Sequence, residues 1–139
     1  MWVAEHSVET EAAPEAIWRL WADVPGWPEW NADLARAKLV GSFVAGSRIR
    51  MTSREGDSVD LRIADAHPPE LFVDEADLGG VMVRTTHRVE RIDPRRVRVV
   101  YRMEISGPEA DTLGPKLGPE ISSDFHETLA ALVELAERR

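Results

Sequence analysis

The stretch that decides the fold reads APEAIWRLWADVPGWPEWN, residues Ala13–Asn31. It holds four of the chain's five tryptophans and directly follows one alternating segment over residues 2–10, which predicts a half-buried strand. Proline suits the first position of a helix and glutamate suits its positive end, so a short helix is predicted from Pro14. Two further prolines and a glycine end that helix and place Trp27 and Trp30 on a second, very short helix or ordered loop.

The density of tryptophans predicts packing into a large concavity, because the apolar surface of an indole ring contributes stability only when it is buried. Two interpretations stay open: the rings close an ordinary core, or some of them wall a pocket for an apolar small molecule. Trp18 and Trp21 lie on the apolar stripe of the first helix and are expected to anchor the core. Trp27 and Trp30 follow the helix break and are the better candidates for a cavity mouth.

From residue 34 onwards the hydrophobic period changes to two, which indicates strands. Turn residues separate the segments closely enough for hairpins, so the sheet is expected to be antiparallel. The alternation of the segment from residue 71 is weak, and which of its faces points inward stays open. The six predicted strands are Leu34–Val40, Ser47–Ser53, Ser58–Ala66, Leu71–Asp77, Val81–Arg91 and Arg96–Ser106.

The last thirty residues return to helical spacing. A long helix is expected from Glu120, with one apolar stripe along it. The pairs Gly114-Pro115 and Gly118-Pro119 come just before it, and each proline removes a helical hydrogen bond. The segment ahead of Glu120 is therefore expected to be kinked, separate or mobile. The stripe consists of Ile121, Phe125, Leu129, Leu132 and Ala136.

Length and composition bound the class of protein. At 139 residues, 43% hydrophobic and 30% charged, the chain is expected to be a single domain over residues 1–139. The absence of cysteine excludes disulfides, a thiol nucleophile and a thiolate metal site. A net charge of −8 argues against nucleic acid as a partner. No apolar run reaches the length of a membrane span and no signal peptide is apparent, so a cytoplasmic protein is expected.

Seven of the fifteen arginines fall within residues 84–102, mostly at even positions of two predicted strands. They alternate with Glu90 and Glu104, which is typical of a solvated sheet face with cross-strand ion pairs. An anion-binding patch or a protein-interaction surface is the alternative. A valine-rich edge strand could also pair two copies of the chain into a homodimer.

The order of elements, with Ala13-Pro14-Glu15-Ala16-Ile17-Trp18 after the first strand and Trp27-Pro28-Glu29-Trp30-Asn31 behind it, resembles the helix-grip superfamily. That superfamily includes START domains, birch-pollen-allergen-like proteins and the polyketide cyclase/dehydrase (SRPBCC) family, whose bacterial branch the motif resembles most. Asp23, Gly46, the Pro68-Pro69 turn and the run from Thr86 to Val89 add to the resemblance.

The resemblance implies an α+β fold. In it, a curved antiparallel sheet of about seven strands grips a long C-terminal helix, and two short helices follow strand 1. It also implies a deep cavity between sheet and helix that binds lipids, sterols or polyketides. Such proteins share no common catalytic triad, so no catalytic residue is transferred, and no cofactor is expected.

Strand alternation points His87 and Tyr101 inward among apolar neighbours. His87 is the candidate acid/base, because imidazole titrates near neutral pH, and Tyr101 can donate to a ligand carbonyl. A satisfied core histidine and a packing tyrosine are the plain alternatives. No metal site is predicted, because His126 and Glu127 are adjacent and diverge on the helix. Further ligand-binding candidates are Trp27, Trp30, Met51, Leu61, Thr85, Met103, Leu117, Ile121 and Phe125.

Three hypotheses of function follow. The first is binding of a hydrophobic small molecule, such as a lipid or an aromatic polyketide, in an internal cavity. The second is a polyketide cyclase or dehydratase in which His87 and Tyr101 transfer protons. The third is an interaction module that uses the arginine-rich sheet face.

Overall fold

The computed structural model describes residues 1–138. Within these residues, seven strands and three α-helices build an α+β fold, and a 3₁₀ helix at Val24–Glu29 follows α1. The elements are β1 (Trp2–Thr10), α1 (Pro14–Ala22), β2 (Leu34–Val40), β3 (Arg48–Ser53), β4 (Ser58–His67), β5 (Leu71–Asp77), β6 (Met82–Asp93), β7 (Arg96–Ser106), α2 (Ala110–Ser122) and α3 (Phe125–Glu137).

All seven strands form one antiparallel sheet in the order β1-β7-β6-β5-β4-β3-β2. Short turns make each strand from β2 to β7 pair with its chain neighbour, whereas β1 pairs with β7 across most of the chain. The fold class and the predicted strands are confirmed, with shifts of one or two residues at some strand ends.

The helices pack on one face of this sheet, and the tryptophan-rich stretch fixes their position. Trp21 is fully buried in the core. The indole N–H of Trp27 donates to the main-chain carbonyl of Trp21 at 2.9 Å, which ties the 3₁₀ helix to the end of α1. Thr10, at the end of β1, donates its hydroxyl hydrogen to Glu137 at 2.7 Å and holds the last turn of α3 against the sheet.

The C-terminal helix is long and bent, but the bend lies later than expected. Pro115 and Pro119 lie inside α2, and the helix breaks between Ser122 and Phe125 instead of ahead of Glu120. The Ser122 hydroxyl donates to the carbonyl of Gly118 at 2.8 Å, and Ser123 donates to that of Glu120 at 3.0 Å. Such bonds back to the helix compete with its own ladder and favour a bend at this point.

The arginine-rich face carries the expected cross-strand ion pairs. Glu5 of β1 lies 3.5 Å from Arg102 of β7, and Glu9 lies 3.2 Å from Arg96. Arg98 of β7 lies 3.7 Å from Glu90 of β6. These pairs are solvent-exposed, so each contributes at most about 1 kcal/mol. Their arrangement supports a solvated sheet face in preference to an anion-binding patch.

Candidate functional site

A cavity of about 280 Å³ lies between the sheet, the 3₁₀ helix and the bend of the C-terminal helix. Of the predicted site residues, nine line it: Trp27, Trp30, Met51, Leu61, Thr85, His87, Tyr101, Ile121 and Phe125. Two are absent from its wall. Met103 is fully buried in the core, and Leu117 packs on the core from α2.

His87 of β6 lies in the wall and contacts two aromatic rings. The ring stacks on Phe72 with centroids 3.9 Å apart, and Tyr101 contacts it edge-on at 4.6 Å. Its Nδ1 lies 3.3 Å from the carbonyl oxygen of Phe72, so Nδ1 carries the hydrogen and Nε2 is left as an acceptor. Burial lowers the pKa of His87 to about 3, and the imidazole is therefore neutral at physiological pH.

Asp74 of β5 is one of the site residues that the sequence did not predict. It is only 7% exposed, lines the cavity, and lies opposite Thr85 in the β5–β6 register. Its Oδ2 is 3.8 Å from Nε2 of His87, which is beyond hydrogen-bonding range. Burial, with a smaller contribution from the charge of Glu75, raises the pKa of Asp74 to about 7.

The weak alternation of β5 hid this residue, because Phe72, Val73 and Asp74 are all buried although they alternate in direction. A signal was nevertheless present in the neighbouring strand. His87 was expected to face inward, and the hairpin register pairs Phe72 with His87 and Asp74 with Thr85. Carrying the orientation of β6 across the Gly79-Gly80 turn would have identified Asp74.

Tyr101 of β7 completes the polar cluster at this wall. Its hydroxyl oxygen accepts a hydrogen bond from Nε1 of Trp21 at 3.1 Å. The tyrosine's own hydroxyl hydrogen has no acceptor among residues 1–138, so it is available to a ligand. Burial raises the pKa of Tyr101 well above its usual value, so the hydroxyl acts only as a neutral donor.

A second polar group lies at the bend of the C-terminal helix. Asp33, just ahead of β2, and Asp124, between α2 and α3, both line the cavity, and their carboxyl groups lie close enough to interact. Burial and the contact with Asp33 raise the pKa of Asp124 to about 6. Beside them, Nε1 of Trp30 and Oδ1 of Asn31 are buried with no hydrogen-bond partner.

Apart from the cluster around Tyr101 and the carboxyl pair at the helix bend, the wall is mainly apolar and aromatic. This arrangement suits an uncharged or partly polar organic molecule. Within the described part of the chain, no three potential ligand side chains cluster as a metal site would require. None of the helices formed by residues 1–138 has the length and apolar character needed to cross a bilayer.

Solved structures with the same fold include aromatase/cyclases and a norcoclaurine synthase. The aromatase/cyclase Zhui from Streptomyces sp. R1128 superposes with a TM-score of 0.80 at 18% identity, covering 99% of this chain and 94% of that one. Norcoclaurine synthase from Thalictrum flavum, in complex with dopamine and hydroxybenzaldehyde, has a TM-score of 0.76 at 14% identity, with 99% and 87% covered.

The di-domain aromatase/cyclase BexL from the BE-7585A biosynthetic pathway has a TM-score of 0.78 at 20% identity. The match covers 99% of this chain but only 47% of BexL, so the chain spans about half of that protein. At these identities the similarity establishes the fold and nothing more. A comparison with curated proteins found no significant match.

Residues 1–137 match the family described as polyketide cyclase / dehydrase and lipid transport. The match runs from β1 to the last turn of α3 and so includes every element that builds the cavity. The chain therefore belongs to the polyketide cyclase / dehydrase and lipid transport family, within the helix-grip (START-like) superfamily.

Proposed function

We propose that the protein binds a compact hydrophobic molecule in this cavity, with its ring system against the aromatic wall. The observation that carries the proposal is the combination of an apolar enclosure with one interior cluster of polar groups that keep unused hydrogen-bonding capacity, Asp74, His87 and Tyr101. The volume of about 280 Å³ is at the lower end of small-molecule sites. It favours a ligand of one or two rings, or a short lipid chain, over a long fused polyketide.

The three groups offer a ligand complementary contacts. The Tyr101 hydroxyl donates, Nε2 of His87 accepts, and the Asp74 carboxyl can donate when it is protonated. A ligand carbonyl or hydroxyl placed here would use hydrogen-bonding capacity that these side chains leave open, which gives orientation as well as affinity.

The test is calorimetric binding of 2-naphthol, a neutral two-ring probe, to matched variants. Ala76 is buried in the cavity wall, so Ala76→Leu fills the space and is expected to weaken binding at least tenfold. Ala130→Leu makes the same change on the exposed face of α3 and should leave the affinity unchanged. Undiminished binding by Ala76→Leu would contradict the proposal. Native mass spectrometry of the purified protein provides an independent search for a co-purified ligand.

A second candidate function, proton transfer during cyclisation or dehydration, is favoured by the chemistry of Asp74. Its pKa of about 7 lies near the operating pH, which is the condition for an efficient acid/base group, whereas the pKa of His87 is too low for that role. Asp74, when ionised, would take a proton from carbon next to a ligand carbonyl, and Tyr101 would donate a hydrogen bond to the enolate oxygen. In this second proposal the acid/base residue is therefore Asp74 and not His87.

This second function predicts that the protein accelerates hydrogen–deuterium exchange at the α-carbon of α-tetralone, followed by NMR in deuterated water. Asp74→Asn is expected to lower that rate by ~10²–10⁴, and Tyr101→Phe by a smaller factor. The rate should rise with pH and level off above about 7, because the ionised carboxylate is the base. A wild-type rate equal to that of buffer, with 2-naphthol still bound, would leave a binding protein without this chemistry.

A further inference from the structure

The charges that line the cavity have one sign. Three carboxyl groups, those of Asp33, Asp74 and Asp124, lie in the wall, and none of the described lining residues is a lysine or an arginine. A ligand that carries a carboxylate or phosphate would meet these groups with no opposite charge in the wall. A wall of this composition is expected to favour neutral or cationic ligands over anions such as fatty acids.

Burial and the contact with Asp33 disfavour ionisation of Asp124, and a positive group between the two carboxyl groups would relieve their repulsion. Two carboxylates in contact cannot both ionise without strong repulsion unless a positive group joins them. Glu29, Arg54 and Glu127 line the shallow groove next to the pair. Arg54 donates its Nε hydrogen to the main-chain carbonyl of Ala32, and the charge of Glu127 further disfavours ionisation of Asp124.

Two buried groups that belong to the same cavity point independently to a ligand with N–H or O–H donors. The Asp74 carboxylate, 7% exposed, accepts no hydrogen bond from any residue in the described range. The Oδ1 atom of Asn31, two residues from Asp33, is a buried acceptor that also lacks a donor. The aromatic residues Trp30, Phe72 and Phe125 also line the cavity, and aromatic rings attract cations through their ring electrons.

We infer that the ligand carries a basic amine on its hydrophobic body. The ammonium group is held at the cavity mouth between Asp33 and Asp124, with Asn31 as a further acceptor, and the apolar body extends toward Asp74 and Tyr101. Placing the charge at the partly solvated mouth avoids the cost of burying an ion in the interior. This inference rests on the proposed function, because it specifies the class of molecule that the cavity binds.

The experiment compares three probes with one apolar body: 4-phenylbutylamine, 4-phenylbutanol and 4-phenylbutyrate, titrated calorimetrically into the full chain at pH 7.5. The amine is expected to bind at least tenfold more tightly than the alcohol, and the acid more weakly than both. In the double variant Asp33→Asn/Asp124→Asn the amine should lose this advantage while the alcohol keeps its affinity within about twofold.

The control removes two exposed negative charges away from the mouth, in Asp57→Asn/Glu134→Gln, and should keep the preference for the amine. Lowering the pH to 5 should reduce the preference in the wild type, since the pKa of Asp124 is raised to about 6 and the pair then holds its own proton. An unchanged melting temperature of the double variant would show that the lost preference for the amine is a local effect and not the result of unfolding.

Equal affinities for amine and alcohol would overturn the amine inference and leave the proposed cavity function intact. A preference for the acid would overturn it as well. If the control double variant lost the preference as fully as the mouth variant, the effect would be one of net charge, and the site assignment would be wrong. Failure of all three probes and of 2-naphthol to bind would contradict the proposed function itself.

Discussion

Burial acts in opposite directions on Asp74 and His87, whose side chains lie 3.8 Å apart. It raises the pKa of the carboxyl to about 7 and lowers that of the imidazole to about 3, so both are neutral near pH 5. In the unfolded chain the same two groups would both be charged at that pH. Between about pH 4 and 6.5 the aspartate therefore makes stability fall with rising pH, while the histidine makes it rise.

Removing the ionisable carboxyl of Asp74 should reveal the contribution of His87 to the pH dependence of the free energy of unfolding. In Asp74→Asn, the free energy of unfolding is expected to increase from pH 4 to 6.5. At pH 7.5 the variant should be more stable than the wild type by up to about 4 kcal/mol, since it no longer carries a carboxyl that resists ionisation. Urea denaturation at several pH values measures both effects.

The exposed Asp57 supplies the control, because Asp57→Asn makes the same change on a hairpin turn and should follow the wild-type pH profile. A difference in the free energy of unfolding between Asp74→Asn and wild type that stayed constant from pH 4 to 7.5 would show that the Asp74 pKa is not raised.

At this scale the sequence predicted the inward direction of His87 and Tyr101. It did not predict Asp74, because burial on both faces of β5 obscures its alternation.

Helix α2 depends on two glycines that face Trp2 of β1. A Cβ atom built on Gly114 would lie 2.7 Å from the Cβ of Trp2, and one on Gly118 would overlap the indole ring itself. The absence of side chains at these positions lets the helix pack directly on the first strand. This contact offsets the hydrogen bonds that Pro115 and Pro119 remove, and it explains why the Gly-Pro pairs do not interrupt the helix.

Gly118→Ala is therefore expected to destabilise the fold by about 1–3 kcal/mol, although alanine is the better helix former. Thermal denaturation measures the change, and Lys116→Ala on the exposed face of α2 is the matched control. Combining Gly118→Ala with Trp2→Leu should recover part of the loss, because the smaller side chain leaves room for the added methyl group. A stabilising effect of Gly118→Ala alone would mean that Trp2 does not pack as described.

The break of the C-terminal helix also belongs to this scale. Hydrophobic periodicity predicted the helix and its apolar stripe, but the two serines that turn their hydroxyls back on the helix carry no strong signal in sequence. The break places Asp124 at the cavity mouth beside Asp33, a proximity that spacing along the chain could not indicate.

At the scale of the molecule, hydrophobic periodicity and turn residues were sufficient to predict the architecture. Short turns make each of the six strands from β2 to β7 pair with its chain neighbour, which determines their order in the sheet. The long helix then covers the apolar face of that sheet. The size of the cavity was not predictable in the same way. It depends on how far the C-terminal helix stands from the sheet, which the packing of α2 and the bend at Asp124 determine together. Pairing of two copies through an edge strand stays a prediction.

The tryptophan-rich stretch has one more consequence. Two of its indoles, Trp27 and Trp30, line the cavity, and the Trp30 N–H has no hydrogen-bond partner among residues 1–138. Indole emission responds to the polarity and hydrogen bonding around the ring, so a ligand that enters the cavity is expected to change the intrinsic fluorescence of the protein. Ligands can thus be screened by intrinsic fluorescence, without a dye or label that competes for so small a space.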